Sequence, residues 1–101
     1  MVKKSHIIAW DEDARLYFKA AIKYIKKESH TGAEKVRIEI LNTISSLSES
    51  PLIFEEDRFK LNNDGTYRAF TVYHYRITYK INKRDILILR IRHTSQEPLE
   101  Y

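Results

Sequence analysis

The hydrophobic periodicity of this chain changes from that of helices to that of strands near its middle, and this change limits the folds that it can adopt. Between residues 11 and 47, apolar residues recur at three- and four-residue spacing, which predicts amphipathic helices. Between residues 66 and 93, apolar and polar residues largely alternate, which predicts strands. Helices followed by a run of strands indicate the α+β class, with the helices packed on one side of a sheet.

The first half of the chain predicts a short strand and two helices. The strand covers residues 6–10, and Asp11 is placed to cap a helix that ends near Glu28. Thr31 and Glu34 have the T-x-x-E spacing of a capping box, which predicts that a second helix begins there and continues to SESP. The apolar stripes of the two helices are Ala14, Phe18, Ala21, Ile22 and Ile25, and Ala33, Val36, Ile40, Ile44 and Leu47.

The second half contains three segments rich in strand-forming residues, TYRAFTVY, YRITYKI and ILILRIRH. Turns are predicted at residues 63–65 and 82–85. Residues 86–89 are apolar at every position, as expected of an interior strand that is covered on both faces. We therefore expect one domain over residues 1–101 with the order β-α-α-β-β-β, in which a helical hairpin packs on one face of a small antiparallel sheet.

Composition excludes several classes of function. The chain of 101 residues has no cysteine, which excludes disulfide and thiolate chemistry and is typical of a reducing compartment such as the cytoplasm. Its four histidines are scattered without clustered carboxylates, so we expect no metal site and no cofactor. No apolar run is long enough to cross a membrane. The net charge of +4 favours an acidic partner, although excess charge also serves solubility.

Basic and aromatic residues are concentrated in the strand half. Arg68 and Arg76 each follow a tyrosine, and Arg90, Arg92 and His93 end the last strand. Arginines on a sheet face can bind phosphate or carboxylate groups in bidentate fashion, and exposed tyrosines can stack on nucleic-acid bases. The same arginines can equally solvate an uncovered sheet face without any ligand.

The register of the last hairpin decides which of these side chains converge. If residues 81 and 86 pair across the turn, Arg76 shares a face with His93. A slip of one residue places Arg76 with Arg90 and Arg92 instead. The sequence does not distinguish these registers.

Three longer segments between residues 8 and 98 carry a recognisable order of motifs: YIKKESHTGAEKVRIEILNTISSLSESP, TYRAFTVYHYRITYKI and ILILRIRHTSQEP. Their signals are a helix ending in Tyr-Ile, a proline after the second helix, Tyr-Arg-x-x-Tyr in a strand, and Ile-Leu-Arg-x-x-His in a late strand. In this order they resemble the RelE/ParE superfamily of toxins from bacterial toxin–antitoxin operons. The long helical hairpin and the late-strand motif resemble the ParE branch more closely.

The resemblance implies a cytoplasmic toxin that arrests growth until a cognate antitoxin wraps over it, as a toxin dimer or as a heterotetramer with the antitoxin. ParE-like members are associated with poisoning DNA gyrase. RelE-like members cut messenger RNA in the ribosomal A site. The branch therefore decides whether the partner is gyrase or the ribosome with its message, and whether the chain is an enzyme.

The RelE-like alternative implies an endoribonuclease whose catalytic residues are Arg68, Arg76, His93 and Tyr101. Arg76 would stabilise phosphate charge, and Arg68 matches a basic position of the preceding strand. His93 is the candidate acid or base, because histidine exchanges a proton near neutral pH. Tyr101 would stand for a tyrosine of the C-terminal tail if the tail folds back.

Two departures from the nuclease pattern favour the ParE-like alternative. Positions expected to be basic are occupied by Phe70 and by Thr94. In the ParE-like alternative, Arg90, Arg92 and His93 present positive charge to the target.

A third alternative is purely structural, and concerns the last residues of the chain. Here Glu97, Pro98 and Tyr101 would only seal the edge of the sheet. Such a protein would leave cells that express it unaffected.

Overall fold

A helical hairpin covers one face of a four-stranded sheet. The computed structural model describes residues 5–96 and 99–101, so Glu97 and Pro98, predicted to seal a sheet edge, lie outside the described residues. Within the described residues, no helix is both long and apolar enough to cross a membrane. The elements are β1 Ile7–Trp10, α1 Glu12–Lys26, α2 His30–Ser46, β2 Tyr67–Val72, β3 Tyr75–Ile81 and β4 Asp85–His93.

Both helices begin at capped N-termini, one at the predicted residue and one not. The Asp11 side chain accepts a hydrogen bond from the Asp13 N–H at 3.0 Å, which confirms the predicted cap of α1. The predicted capping box at Thr31 is wrong. The Ser29 Oγ accepts the Gly32 N–H at 2.9 Å instead. Because α1 ends at Lys26 and the link is short, Ser29 is the extended residue before α2, and Thr31 already lies within its first turn.

Substitution of Ser29 by alanine is expected to lower the free energy of unfolding by about 1 kcal/mol, because the Gly32 N–H loses its partner. The matched control is Thr31→Ala, which removes an exposed hydroxyl from the same helical turn. Alanine is the better helix former, so the control should leave stability unchanged or slightly raised. Urea denaturation measures both variants, and equal losses would contradict the assignment of Ser29 as the cap.

The apolar stripes predicted for the helices form one side of the core. In α2 all five predicted residues are buried, whereas in α1 the two alanines are buried and the larger residues are half-buried. The opposite side of the core comes from the sheet, where Ile77, Tyr79, Ile86 and Ile88 are fully buried. Tyr79 also donates a hydrogen bond from its hydroxyl to the Pro51 carbonyl at 2.7 Å, and burial raises the pKa of Tyr79 to about 12.

The strands are ordered β1-β4-β3-β2, and β2 and β4 each pair with β3 in antiparallel fashion, as predicted. The α+β class and the element order are therefore confirmed. The sheet is mixed rather than wholly antiparallel, because β1 pairs with β4 in parallel. Alternation of side chains reports which face of a strand is buried, and it carries no information on the direction of a neighbour that is distant in sequence.

A β-bulge in the last hairpin combines the two registers considered from the sequence. Ile81 pairs with Ile86, but the register shifts between Thr78 and Tyr79, and Leu89 is left without a partner. Beyond the bulge, Arg76 therefore pairs with Arg92 rather than with Ile91. An extra residue in one strand moves each later side chain of that strand to the face opposite the one that an uninterrupted register would give.

The bulge gives the sheet two chemically different faces. The helix-side face carries Tyr75, Ile77 and Tyr79, which pack into the core. The opposite face, here called the tail-side face, carries Arg76 and Thr78 of β3, paired with Arg92 and Arg90 of β4. Arg76 thus lies with Arg90 and Arg92, as in the second of the two registers that the sequence left open.

Candidate functional site

A buried carboxylate lies at the centre of the tail-side face. Asp57, in the loop between α2 and β2, is 2% exposed and accepts hydrogen bonds on both oxygens. Oδ1 accepts from the Arg76 Nη2 at 2.7 Å and from the Phe59 N–H at 3.1 Å. Oδ2 accepts from the Tyr101 hydroxyl at 2.6 Å and from the Thr78 hydroxyl at 3.3 Å. Each oxygen is therefore satisfied without water.

These hydrogen bonds keep Asp57 ionised. Burial by itself would raise the pKa of the carboxyl group, but the hydrogen bonds from Tyr101, Arg76 and the Phe59 N–H outweigh it, and the net effect lowers the pKa. The loop is fixed by its own backbone, since the Asp57 N–H donates to the Tyr67 carbonyl at 2.8 Å. Asp57 is thus a negative charge at neutral pH within a basic region.

The end of the chain folds back across this face, as the catalytic role considered for Tyr101 requires. The Tyr101 N–H donates to the Phe59 carbonyl at 3.0 Å, and the Leu61 N–H donates to the Tyr101 carbonyl at 2.6 Å. The ring lies between two cations, with the Arg90 guanidinium 4.7 Å and the Lys60 ammonium 5.3 Å from its centroid. Burial, and then the hydrogen bond to Asp57, raise the pKa of Tyr101.

A pocket of about 160 Å³ opens beside Asp57 and is lined by Arg76, Arg90 and Arg92. We call it the arginine pocket. Arg90 donates to the Leu99 carbonyl at 3.3 Å, and burial followed by the charge of Arg92 lowers the pKa of Arg90. The Nε atoms of Arg76 and Arg92 are buried and have no hydrogen-bond partner among residues 5–96 and 99–101. The pocket is therefore strongly basic.

Arg68 is not part of this site. It pairs with Tyr79 across the strands, which places it on the helix-side face. Its Nε donates to the Gly65 carbonyl at 3.0 Å and its Nη1 to the Phe54 carbonyl at 2.8 Å. Both hydrogen bonds fix the backbone of the loop between α2 and β2, so the guanidinium of Arg68 has a structural role.

His93 also belongs to the helix-side face, because it pairs with Tyr75. It borders the arginine pocket, but its ring packs edge-on against Tyr75 with centroids 5.2 Å apart. Its Nδ1 accepts the Ser95 N–H at 3.1 Å and lies 2.7 Å from the Ser95 Oγ. The imidazole is thus engaged at the end of β4, on the face opposite to Arg76.

Of the four residues considered for RNA cleavage, Arg76 and Tyr101 are joined through Asp57. Arg68 lies outside the arginine pocket, and His93 borders it from the end of β4 with its ring packed on Tyr75. The residue that joins the first two, Asp57, was not anticipated. No local signal distinguishes it from Glu55 and Glu56 in the same acidic run. Within residues 5–96 and 99–101, no group of three His, Asp or Glu side chains could hold a metal ion.

Residues 8–98 match the family model described as the ParE toxin of the type II toxin–antitoxin system, parDE. The chain belongs to the ParE toxin family. A search of curated proteins by sequence finds no significant match.

Solved structures agree with this family at the level of the fold. A chain of the chromosomal ParDE toxin–antitoxin system from Pseudomonas aeruginosa superposes with a TM-score of 0.69 at 16% identity, covering 90% of this chain and 98% of that one. A chain of the RelBE2 toxin–antitoxin complex from Mycobacterium tuberculosis gives a TM-score of 0.52 at 17% identity, covering 94% and 98%. Both of these chains thus share the fold of this chain.

Proposed function

We propose that this ParE-family toxin arrests growth by binding DNA gyrase, in the ParE-like manner, and that a cognate antitoxin neutralises it. The observation that supports a binding protein over a nuclease is the division of the candidate catalytic residues between two sheet faces. A general acid or base must reach the same phosphate as the cation that stabilises it. His93 borders the arginine pocket but its ring packs on Tyr75 of the helix-side face, and Tyr101 is held by Asp57 with a raised pKa.

The proposed target-binding surface is the basic end of β4 with the tail beside it. Arg90 and Arg92 present positive charge on the tail-side face, and His93 borders the same pocket. Leu99 and Leu61 add exposed apolar side chains next to them. Arginines with neighbouring apolar groups are typical of protein interfaces, where they determine orientation and specificity.

An antitoxin partner is supported by the solved relatives, which come from toxin–antitoxin systems. We propose that the toxin acts in the cytoplasm, as a dimer or as a heterotetramer with its antitoxin. The alternative function is RelE-like, metal-independent cleavage of messenger RNA on the ribosome. The proximity of Arg76 and Tyr101 within a basic pocket favours that alternative, because both groups would face a bound phosphate.

Induced expression in a bacterial host without the antitoxin distinguishes these functions. We expect growth to stop with an early SOS response, while incorporation of labelled amino acids continues at first. Purified protein should also inhibit the supercoiling of plasmid DNA by gyrase. Both results follow if the toxin acts on gyrase rather than on the ribosome.

The companion variants are Arg76→Ala and His93→Ala, which remove one candidate catalytic group from each face. An immediate stop in translation with cleaved messages, relieved by either substitution, would make the protein an endoribonuclease. Unimpaired growth with wild-type protein present in soluble form would instead support the purely structural alternative.

A further inference from the structure

The arginine pocket contains more positive charge than its own carboxylate balances. Four arginines line it, Arg58, Arg76, Arg90 and Arg92, whereas Asp57 is the one carboxylate among the described residues that line it. Arg76 and Arg92 are directly opposite each other on neighbouring strands, an arrangement of like charges that is unfavourable without an anion between them. Asp57 forms an ion pair with Arg76 and so neutralises one of these positive charges. The pocket keeps a net positive charge that a bound anion would offset.

Two donors in this pocket also have no partner. The Nε atoms of Arg76 and Arg92 are buried and make no hydrogen bond, and buried donors are paired in most native proteins. Arg92 makes no hydrogen bond or ion pair within the part of the chain that the structure describes. Among the described residues, no contact of this side chain has to break before it binds a ligand.

The size of the pocket limits what can occupy it. Its volume of about 160 Å³ is below the range of roughly 300–1,000 Å³ that is usual for small-molecule sites. A single side chain fits this space better than a nucleotide does. Phe59 and Leu99 contribute apolar walls, and Leu61 is exposed nearby on the segment that binds Tyr101.

The internal pairing of Arg76 indicates which anion the pocket suits. It already holds the carboxylate of Asp57 at 2.7 Å, so the geometry accommodates a carboxylate. Apolar walls beside a cationic floor match an acidic residue that has an apolar neighbour in an extended polypeptide.

We infer that the arginine pocket binds one aspartate or glutamate side chain of the neutralising antitoxin. This inference rests on the proposed function, since the bound segment would cover Arg90 and Arg92, the residues proposed for target binding. Neutralisation then follows from direct competition at these two arginines. The carboxylate offsets part of the excess positive charge and gives the Nε–H of Arg92 a partner.

The test is an NMR titration of the full ¹⁵N-labelled chain, observing the arginine Nε–H signals at constant ionic strength. The probes are the peptide acetyl-Leu-Glu-Leu-amide, its Leu-Gln-Leu counterpart, inorganic phosphate and a dinucleoside monophosphate. We expect the glutamate peptide to shift the Arg92 and Arg76 signals and to bind at least about tenfold more tightly than the glutamine peptide.

The variants are Arg92→Gln and Arg90→Gln, with Arg84→Gln as the control. Arg84 is exposed in the turn before β4, so the control makes the same charge change at the far end of the strand. We expect each pocket variant to weaken binding of the glutamate peptide at least about fivefold, and the control to leave it unchanged. Backbone amide spectra establish that each variant is folded.

Equal binding of the two peptides, or an equal loss in the control, would overturn the inference. Tighter binding of phosphate or the dinucleoside monophosphate would do so as well, and would assign the pocket to nucleic acid. The titration does not depend on growth arrest. Failure of the proposed function in cells and failure of the carboxylate site are therefore separate results.

Discussion

Replacement of Asp57 by asparagine is expected to lower the free energy of unfolding by about 3 kcal/mol. The substitution keeps the size of the side chain but removes the charge that faces Arg76 and Tyr101. Loss of one partner from a buried pair is costly because the remaining charge stays desolvated. Urea denaturation at neutral pH measures the loss, and Tyr101→Phe should give a smaller one of about 2 kcal/mol.

The same variant should change how stability depends on pH. Because the folded-state pKa of Asp57 is lowered, its contribution is complete above the unfolded-state value of about 3.9 and is lost as the pH falls through the folded-state value. The wild-type protein should therefore lose more stability than Asp57→Asn when it is acidified from neutral pH. Other carboxylates are common to both proteins, so their contributions cancel in the difference.

Two comparisons separate the contribution of the Asp57–Arg76 pair from stability losses that any similar substitution would cause. Asp64→Asn is the matched control. Asp64 lies in the following turn, and its carboxylate accepts hydrogen bonds from the N–H and the hydroxyl of Thr66 instead of from Arg76. The double variant Asp57→Asn with Arg76→Gln should lose less than the sum of the single losses, since neither member of the pair is left charged without the other. Exact additivity, or an equal loss in Asp64→Asn, would contradict a stabilising role for the Asp57 pair.

The parts of the fold that depend on local periodicity were predictable from the sequence. The stripe from Ala33 to Leu47 and the alternation from Tyr75 to Ile81 each determine a buried face, and both are confirmed. The predicted position of the α2 cap was wrong by two residues. Ser29 and Thr31 are chemically similar caps, and the length of the link between the helices decides between them. The direction of β1 depends on packing across the whole domain, which no local pattern encodes.

The candidate site was less predictable, because it depends on two features without a local signature. The bulge at Leu89 determines that Arg90 and Arg92 share a face with Arg76, and an apolar run of four residues gives no sign of where a strand is interrupted. Asp57 is separated by 19 residues from Arg76 and by 44 from Tyr101, so only the folded chain brings the three together.

The second large effect is expected for target binding. Arg92→Glu should weaken gyrase inhibition and growth arrest about 100-fold, because a negative charge at the proposed interface replaces attraction with repulsion. The substitution is compatible with the fold, since Arg92 has no internal partner among the described residues and a glutamate there faces Arg76 across the strands. The concentration that half-inhibits plasmid supercoiling measures the effect.

The control for Arg92→Glu is Arg84→Glu, which makes the same charge change in the exposed turn before β4. If the basic end of β4 binds the target, the control should retain inhibition, because net charge alone acts mainly on the rate of encounter. His93→Ala should have a smaller effect than Arg92→Glu, because its ring packs against Tyr75 on the other face. Full inhibition by a folded Arg92→Glu variant would exclude the tail-side face as the target-binding surface. The helix-side end of β4, where His93 meets Ser95, would then be the next surface to test.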